Sequence, residues 1–235
     1  MLKLLQLSRF MQISEYILPW MLPLVIVTYI AGISLAFKAP SDYQQGEMVR
    51  IMYIHVPAAW MSLMIYSVMA VASAGYIIWK NPLLDLIARG SAPIGACFAF
   101  ITLVTGSLWG KPIWGTWWVW DARLTSMFIL FLFYLGYIAL AGSAPKSQGR
   151  NMALAVLAII GFINVPIVKF SVTFWNSLHQ PASIIRLGKP TIHSTMLTPL
   201  LIMFIGNVQY FIMVLILRVK NAINAHRAQA KANLN

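Results

Sequence analysis

Five of the nine tryptophans in this 235-residue chain fall within twelve residues, at Trp109, Trp114, Trp117, Trp118 and Trp120, and the run closes on Asp121-Ala122-Arg123. An aromatic belt at a membrane surface accounts for one or two tryptophans per loop. Five, with an acid and a base behind them, ask for a further role. A broad aromatic shelf beside cations suits a large, planar, partly anionic apolar ligand, a description that porphyrin fits better than quinones or lipid headgroups. His55 and His179 lie in the flanking segments Tyr53-Ile54-His55-Val56-Pro57 and Phe174-Trp175-Asn176-Ser177-Leu178-His179-Gln180-Pro181. Neutral imidazole is an axial ligand for haem iron, so these segments hold the groups for bis-histidine ligation.

Helix from Trp114 onward would set Trp114, Trp117, Trp118 and Asp121 at i, i+3, i+4 and i+7, on one face. Gly110 and Gly115 would let the backbone bend or approach a flat ligand closely. Arg50, Lys111, Arg123, Arg186 and Lys189 could receive propionates through charge-assisted contacts. Lipid headgroups compete for each of them, and Arg123 stands out because it follows the aromatic face directly. Asp121 and Arg123 could equally pair with each other as a structural lock. His193 falls on the same side as the other two histidines, so the side it occupies does not exclude it as a ligand. His226 falls in the opposite tail.

The elements that position these residues follow from composition. Hydrophobic residues make up 60% of the chain and charged residues 9%, against roughly 25% charged in a soluble domain. Lipid must be the solvent for most of it. Six apolar runs are long enough to span: 17–37, 54–79, 87–108, 124–142, 152–170 and 195–217. Backbone groups in lipid must be satisfied internally, so the runs should be helices. The fold expected is an all-α integral membrane bundle of six transmembrane helices, a single membrane domain over 1–235, with the tryptophan-rich outer loop at 109–123. Residues 1–14 read as an amphipathic lead-in lying on the membrane surface. The first run is too long for the core of a signal peptide. The tail after Arg218 reads as solvated and frayed.

The net charge of +12 is spread over the ends of apolar runs, as positive-inside anchoring expects, and is not gathered as a nucleic-acid binder would gather it. Basic residues are denser in the short loops 80–86 and 143–151 and in the two tails. That places both termini in the cytoplasm and the loops 38–53, 109–123 and 171–194 outside. Cys97, the one cysteine, reads as a small buried hydrophobe, and without a CxxCH motif the chain is not itself a c-type cytochrome. It has no GxxxxGK[ST] phosphate loop, so any ATP would be hydrolysed by a partner.

The run Trp114-Gly115-Thr116-Trp117-Trp118-Val119-Trp120-Asp121 resembles the tryptophan-rich "WWD" signature of haem-handling proteins in cytochrome c biogenesis. With Arg50-Ile51-Met52-Tyr53-Ile54-His55-Val56-Pro57, Trp175-Asn176-Ser177-Leu178-His179-Gln180 and six spans, the whole chain resembles the haem exporter protein C family. The resemblance implies a multi-pass inner-membrane protein that holds non-covalent haem b at the periplasmic face, between the tryptophan loop and the axial ligands His55 and His179. It also implies presentation of that haem to a membrane-anchored haem chaperone, beside ATP-binding cassette transporter subunits and a small single-span subunit. Such a protein is a delivery component and not an enzyme. Two rivals differ in class. A transmembrane b-type electron-transfer subunit would bury paired histidines mid-helix, and none sits there. A transporter of haem or another small molecule would carry polar groups at the midplane, where Asn164 and Asn207 are the main candidates.

Overall fold

The structure is a computed structural model that describes residues 6–143, 147–175, 177–179, 184 and 188–233. Asn176, Gln180, Pro181 and Arg186, named above, lie outside the described residues. The elements are α1 (Leu7–Lys38), a 3-10 turn (Glu47–Ile51), α2 (Met52–Trp79), α3 (Pro82–Trp114), α4 (Ala122–Ser143), α5 (Gln148–Phe162), α6 (Asn164–Phe174) and α7 (Ser194–Ala232). Among the described residues, six helices are long and apolar enough to cross a membrane, with α5 and α6 together counting as one. The protein is an all-α, multi-pass membrane protein.

Local chemistry sets the helix ends. Lys80 adopts the left-handed conformation and closes α2 (φ +52°). Asn81 then caps α3 by accepting from the Leu83 N–H at 2.9 Å, with Pro82 in the first helical position, where its missing N–H costs nothing. The break between α5 and α6 falls at Ile163. Pro166 has no N–H to give the Phe162 carbonyl, so the helical ladder cannot run through. Two buried polar side chains are satisfied inside the bundle: Asn164 donates to the Ser126 carbonyl at 2.8 Å, and Asn207 accepts from the Tyr29 hydroxyl at 2.6 Å. Both midplane candidates thus serve packing.

The helix α2 is central, packing on α3, α5 and α7, while α1 leans mainly on α7. The core is built from α2, α3 and α4 around Met61, Ile65, Tyr66, Ala99, Leu130 and Tyr134. Tyr134 is fully buried and donates to the Ser62 carbonyl at 2.7 Å.

Three expectations are corrected. From Leu7 onward the lead-in is the start of α1, continuous with the span. Met11 packs there with Leu83, Val219 and Ile223, so this apolar face is spent on the bundle. The tail beyond Arg218 is helical through Ala232, because alanine, lysine, arginine and glutamine are strong helix formers. Cys97 is exposed on the outside of α3. A small apolar side chain is at ease there too, since the solvent at that depth is hydrocarbon.

Candidate functional site

Where α2, α3, α4 and α6 end, a cavity of about 370 Å³ is lined by His55, Trp109, Trp114, Arg123, Lys169 and His179, with Gln45 at its edge. His55 is in the first turn of α2, and His179 follows α6 on a loop. Trp109 stands edge-on to the His55 ring with centroids 5.6 Å apart, and Trp114 edge-on to His179 at 4.8 Å. Each histidine therefore has one tryptophan of α3 against it. Two glycines of α3 make room. A side chain at Gly106 would press on the His55 ring at 3.0 Å, and one at Gly110 would meet the Trp114 ring at 2.8 Å. Trp109 Nε1 donates to Gln45 Oε1 at 2.9 Å, tying the first loop to the tryptophan segment.

Hydrogen bonds favour one tautomer of each histidine. The Thr105 hydroxyl has one proton, and it goes to the Ile101 carbonyl at 2.6 Å. Toward His55 Nδ1, 3.0 Å away, that oxygen can only accept. Nδ1 therefore carries hydrogen and Nε2 carries the lone pair. His179 Nδ1 lies 2.9 Å from Asp121 Oδ2, an acceptor when ionised. Burial alone would raise the Asp121 pKa, but hydrogen bonds from Ser177, the Leu124 N–H and His179 outweigh it and hold the carboxyl below its ordinary value. The pKa of His179 is lowered, by burial first and by Arg123, against the opposing pull of Asp121. A neutral ring donating through Nδ1 again leaves Nε2 as the lone-pair nitrogen. A carboxylate behind a histidine is the usual outer-shell device for orienting a metal ligand.

Asp121 has a second task. Its Oδ1 accepts from the Leu124 N–H at 2.8 Å, which caps α4. One carboxylate thus starts a helix with one oxygen and orients His179 with the other. It pairs with His179 and Ser177 and not with Arg123, so the Asp121–Arg123 lock is not formed. Arg123 and Lys169 instead bring two positive charges to the cavity wall.

The tryptophans do not share one helical face. The helix α3 ends at Trp114, and Gly115 takes the left-handed conformation (φ +73°) as its cap, a position that favours glycine. Lys111 reinforces the stop by donating to the Gly115 carbonyl at 2.9 Å. Residues 115–121 are therefore non-helical. Trp118 is partly buried, edge-on to Phe128 of α4, and Trp120 packs on Trp118. Trp117 and Trp120 are 55% and 74% exposed, and the Lys111 ammonium sits over the Trp117 ring at 5.8 Å. Neither Trp117, Trp118 nor Trp120 lines the cavity.

Arg50 is also away from the cavity. It pairs with Glu47 at 2.5 Å and donates to the Ala36 and Phe37 carbonyls at the end of α1. Lys189 is exposed. His193 is the cap of α7, accepting from the Thr195 N–H, which accounts for it without a ligand role. Lys169, Gln45, Thr105 and Ser177 are the members of the site that sequence reasoning missed. A lysine at the outer end of the apolar run 152–170 was the one available signal, for Lys169.

Among the described residues, no three His, Cys, Asp or Glu side chains gather to hold a bare metal ion. Two imidazoles suit an ion that brings its own in-plane ligands, and the aromatic walls and paired cations suit a flat ring bearing carboxylates.

Comparison with known proteins gives the same direction. The model of the family described as "Heme exporter protein C" matches residues 1–234. A Heme exporter protein C from Bradyrhizobium diazoefficiens is 45% identical over 223 residues, covering 95% of this chain and 85% of that protein. One from Paracoccus denitrificans is 37% identical over 223 residues, covering 94% and 92%. One from Escherichia coli is 47% identical over 173 residues, covering 73% and 71%.

Proposed function

The chain belongs to the haem exporter protein C family, and from that premise we propose that it holds haem b, non-covalently, at the periplasmic face of the inner membrane and presents it to a membrane-anchored haem chaperone. Membership makes it a haem-handling component of cytochrome c maturation, and on this reading its part is delivery, not catalysis. His55 and His179 are the axial ligands, each through Nε2. Trp109 and Trp114 pack on the porphyrin, and Arg123 and Lys169 receive the propionates. Trp117 and Trp120, exposed beside the cavity, are the face the chaperone meets, while Trp118 anchors that face to α4. Arg50 braces the first loop against α1. The termini are cytoplasmic, and the partners there and in the membrane are ATP-binding cassette subunits and a small single-span subunit.

The carrying observation is the matched pair of held imidazoles. Two histidines far apart in sequence line one cavity, and each has Nδ1 engaged so that Nε2 is available. The test is the visible spectrum of the detergent-purified protein after co-expression with its chaperone. A low-spin b-type spectrum is expected. Protein that carries no haem when haem is plentiful would overturn the reading and leave the tryptophan segment as a protein-docking surface.

Asp121→Asn probes the orientation separately from the ligands. Asparagine keeps an oxygen for the Leu124 N–H and remains a good helix cap, so the thermal midpoint should barely move. Its amide would then face His179 Nδ1 as a donor, pushing the ring proton to Nε2 and blocking the lone pair. Haem affinity should fall about 10- to 100-fold, the usual cost of losing an outer-shell partner. Unchanged affinity, or equal loss of stability and affinity, would rule out the positioning role.

A further inference from the structure

The far end of the bundle holds a second cavity of about 720 Å³, between the end of α2, the start of α3, the start of α5 and the last third of α7. Among the described residues, Arg89, Arg150 and Arg218 line it, one from each of α3, α5 and α7, against a single acid, Asp85. Asp85 is already committed, accepting from Arg89 Nε at 2.8 Å. Arg89 also donates to Asn151 Oδ1 at 2.5 Å. Ser147, Gln148, Asn221 and His226 complete the polar lining, and three arginine charges against one carboxylate leave it net positive. A phosphate group, which only accepts, is the complement of such a lining.

The depth of the cavity says which phosphate. Arg218 is the first charged residue after the apolar run 195–217 of α7. At the end of α2, the exposed Trp79 (56%) and Lys80 mark the same boundary, as aromatic and basic residues do at headgroup level. We propose that this cavity binds the headgroup phosphate of an anionic phospholipid, in the leaflet opposite the histidine site. Basic pockets between membrane helices recognise headgroups in this way. Nothing in the haem reading requires the site or uses its residues.

The test is a thermal melt of the full-length protein in detergent, with added phosphatidylglycerol, with phosphatidylcholine, or with inorganic phosphate. Phosphatidylglycerol should raise the midpoint by several degrees, and the other two additions should leave it where it is. Each lost arginine should weaken the phosphatidylglycerol response about fivefold in concentration, so Arg218→Gln about fivefold and the Arg150→Gln/Arg218→Gln pair about 25-fold. Equal shifts with phosphatidylcholine, or a parental response in the paired variant, would overturn the site. A full shift with inorganic phosphate alone would overturn the lipid as its occupant. If the paired variant fails to fold, the comparison of the three additions on the parent decides alone.

Discussion

Replacing either His55 or His179 with alanine is expected to abolish the low-spin haem spectrum, with a loss of affinity above the roughly 100-fold that ends the range for outer-shell partners. On the proposed reading each variant would remove one axial ligand, and the other ring could not supply two. His55 sits on α2 with Thr105 behind it, and His179 on a loop with Asp121 behind it. The ligands thus hang from independent supports, and neither variant should collapse the other's half of the site. His179→Ala leaves Asp121 with Ser177 and the Leu124 N–H, so α4 stays capped and the protein stays folded. His193→Ala, at the cap of α7, should keep the parental spectrum. Spectra of the four proteins decide it: parental absorbance in both His55→Ala and His179→Ala would sink the ligand pair.

The largest expected loss of stability is at Gly95. A Cβ there would overlap the ring and hydroxyl of Tyr134. Tyr134 cannot swing clear, being fully buried, bonded to the Ser62 carbonyl and edge-on to Tyr66 with centroids 4.9 Å apart. Overpacking a tight core costs about 1–3 kcal/mol, and a buried hydroxyl pulled from its acceptor costs about 1–3 kcal/mol more. Gly95→Ala should therefore destabilise by roughly 2–6 kcal/mol. Gly136 of α4 is the control, because nothing lies within 4 Å of a Cβ built there. Gly136→Ala should be neutral or up to about 1 kcal/mol stabilising, by helix propensity alone. Thermal melts of both variants in one detergent make the comparison, and equal midpoints would show that the core gives way around Tyr134 without cost.

Much of the fold is legible in the sequence because lipid permits so few alternatives. A run of about 20 apolar residues must be a helix, and five of the six runs each lie inside one helix, while 152–170 is shared by α5 and α6 with a break at Ile163. The site was legible where residue type alone reveals chemistry, as with His55, His179, Trp109, Trp114 and Arg123. It was not legible where a residue acts only through folding. Thr105 and Ser177 are ordinary hydroxyls until the chain brings them to a histidine. The i, i+3, i+4 spacing of Trp114, Trp117 and Trp118 suggested one helical face, yet Gly115 stops the helix between the first and second. That stop was written in the sequence, since glycine is the commonest residue just past a helix end. The competing tryptophan periodicity concealed it.

The held tautomers have a consequence for how quickly and how tightly a ligand is taken up. An imidazole left to itself divides its molecules between two protonation isomers, and only one offers the nitrogen that faces the cavity. Apparent affinity is diluted by the fraction competent, and for two independent rings by the product of both fractions. Thr105 and Asp121 raise each fraction, so more of the empty molecules are ready to receive. Release can draw on the same arithmetic. A partner that disturbs the Asp121–His179 hydrogen bond alone returns one ring to its mixed population and weakens the grip without touching the iron.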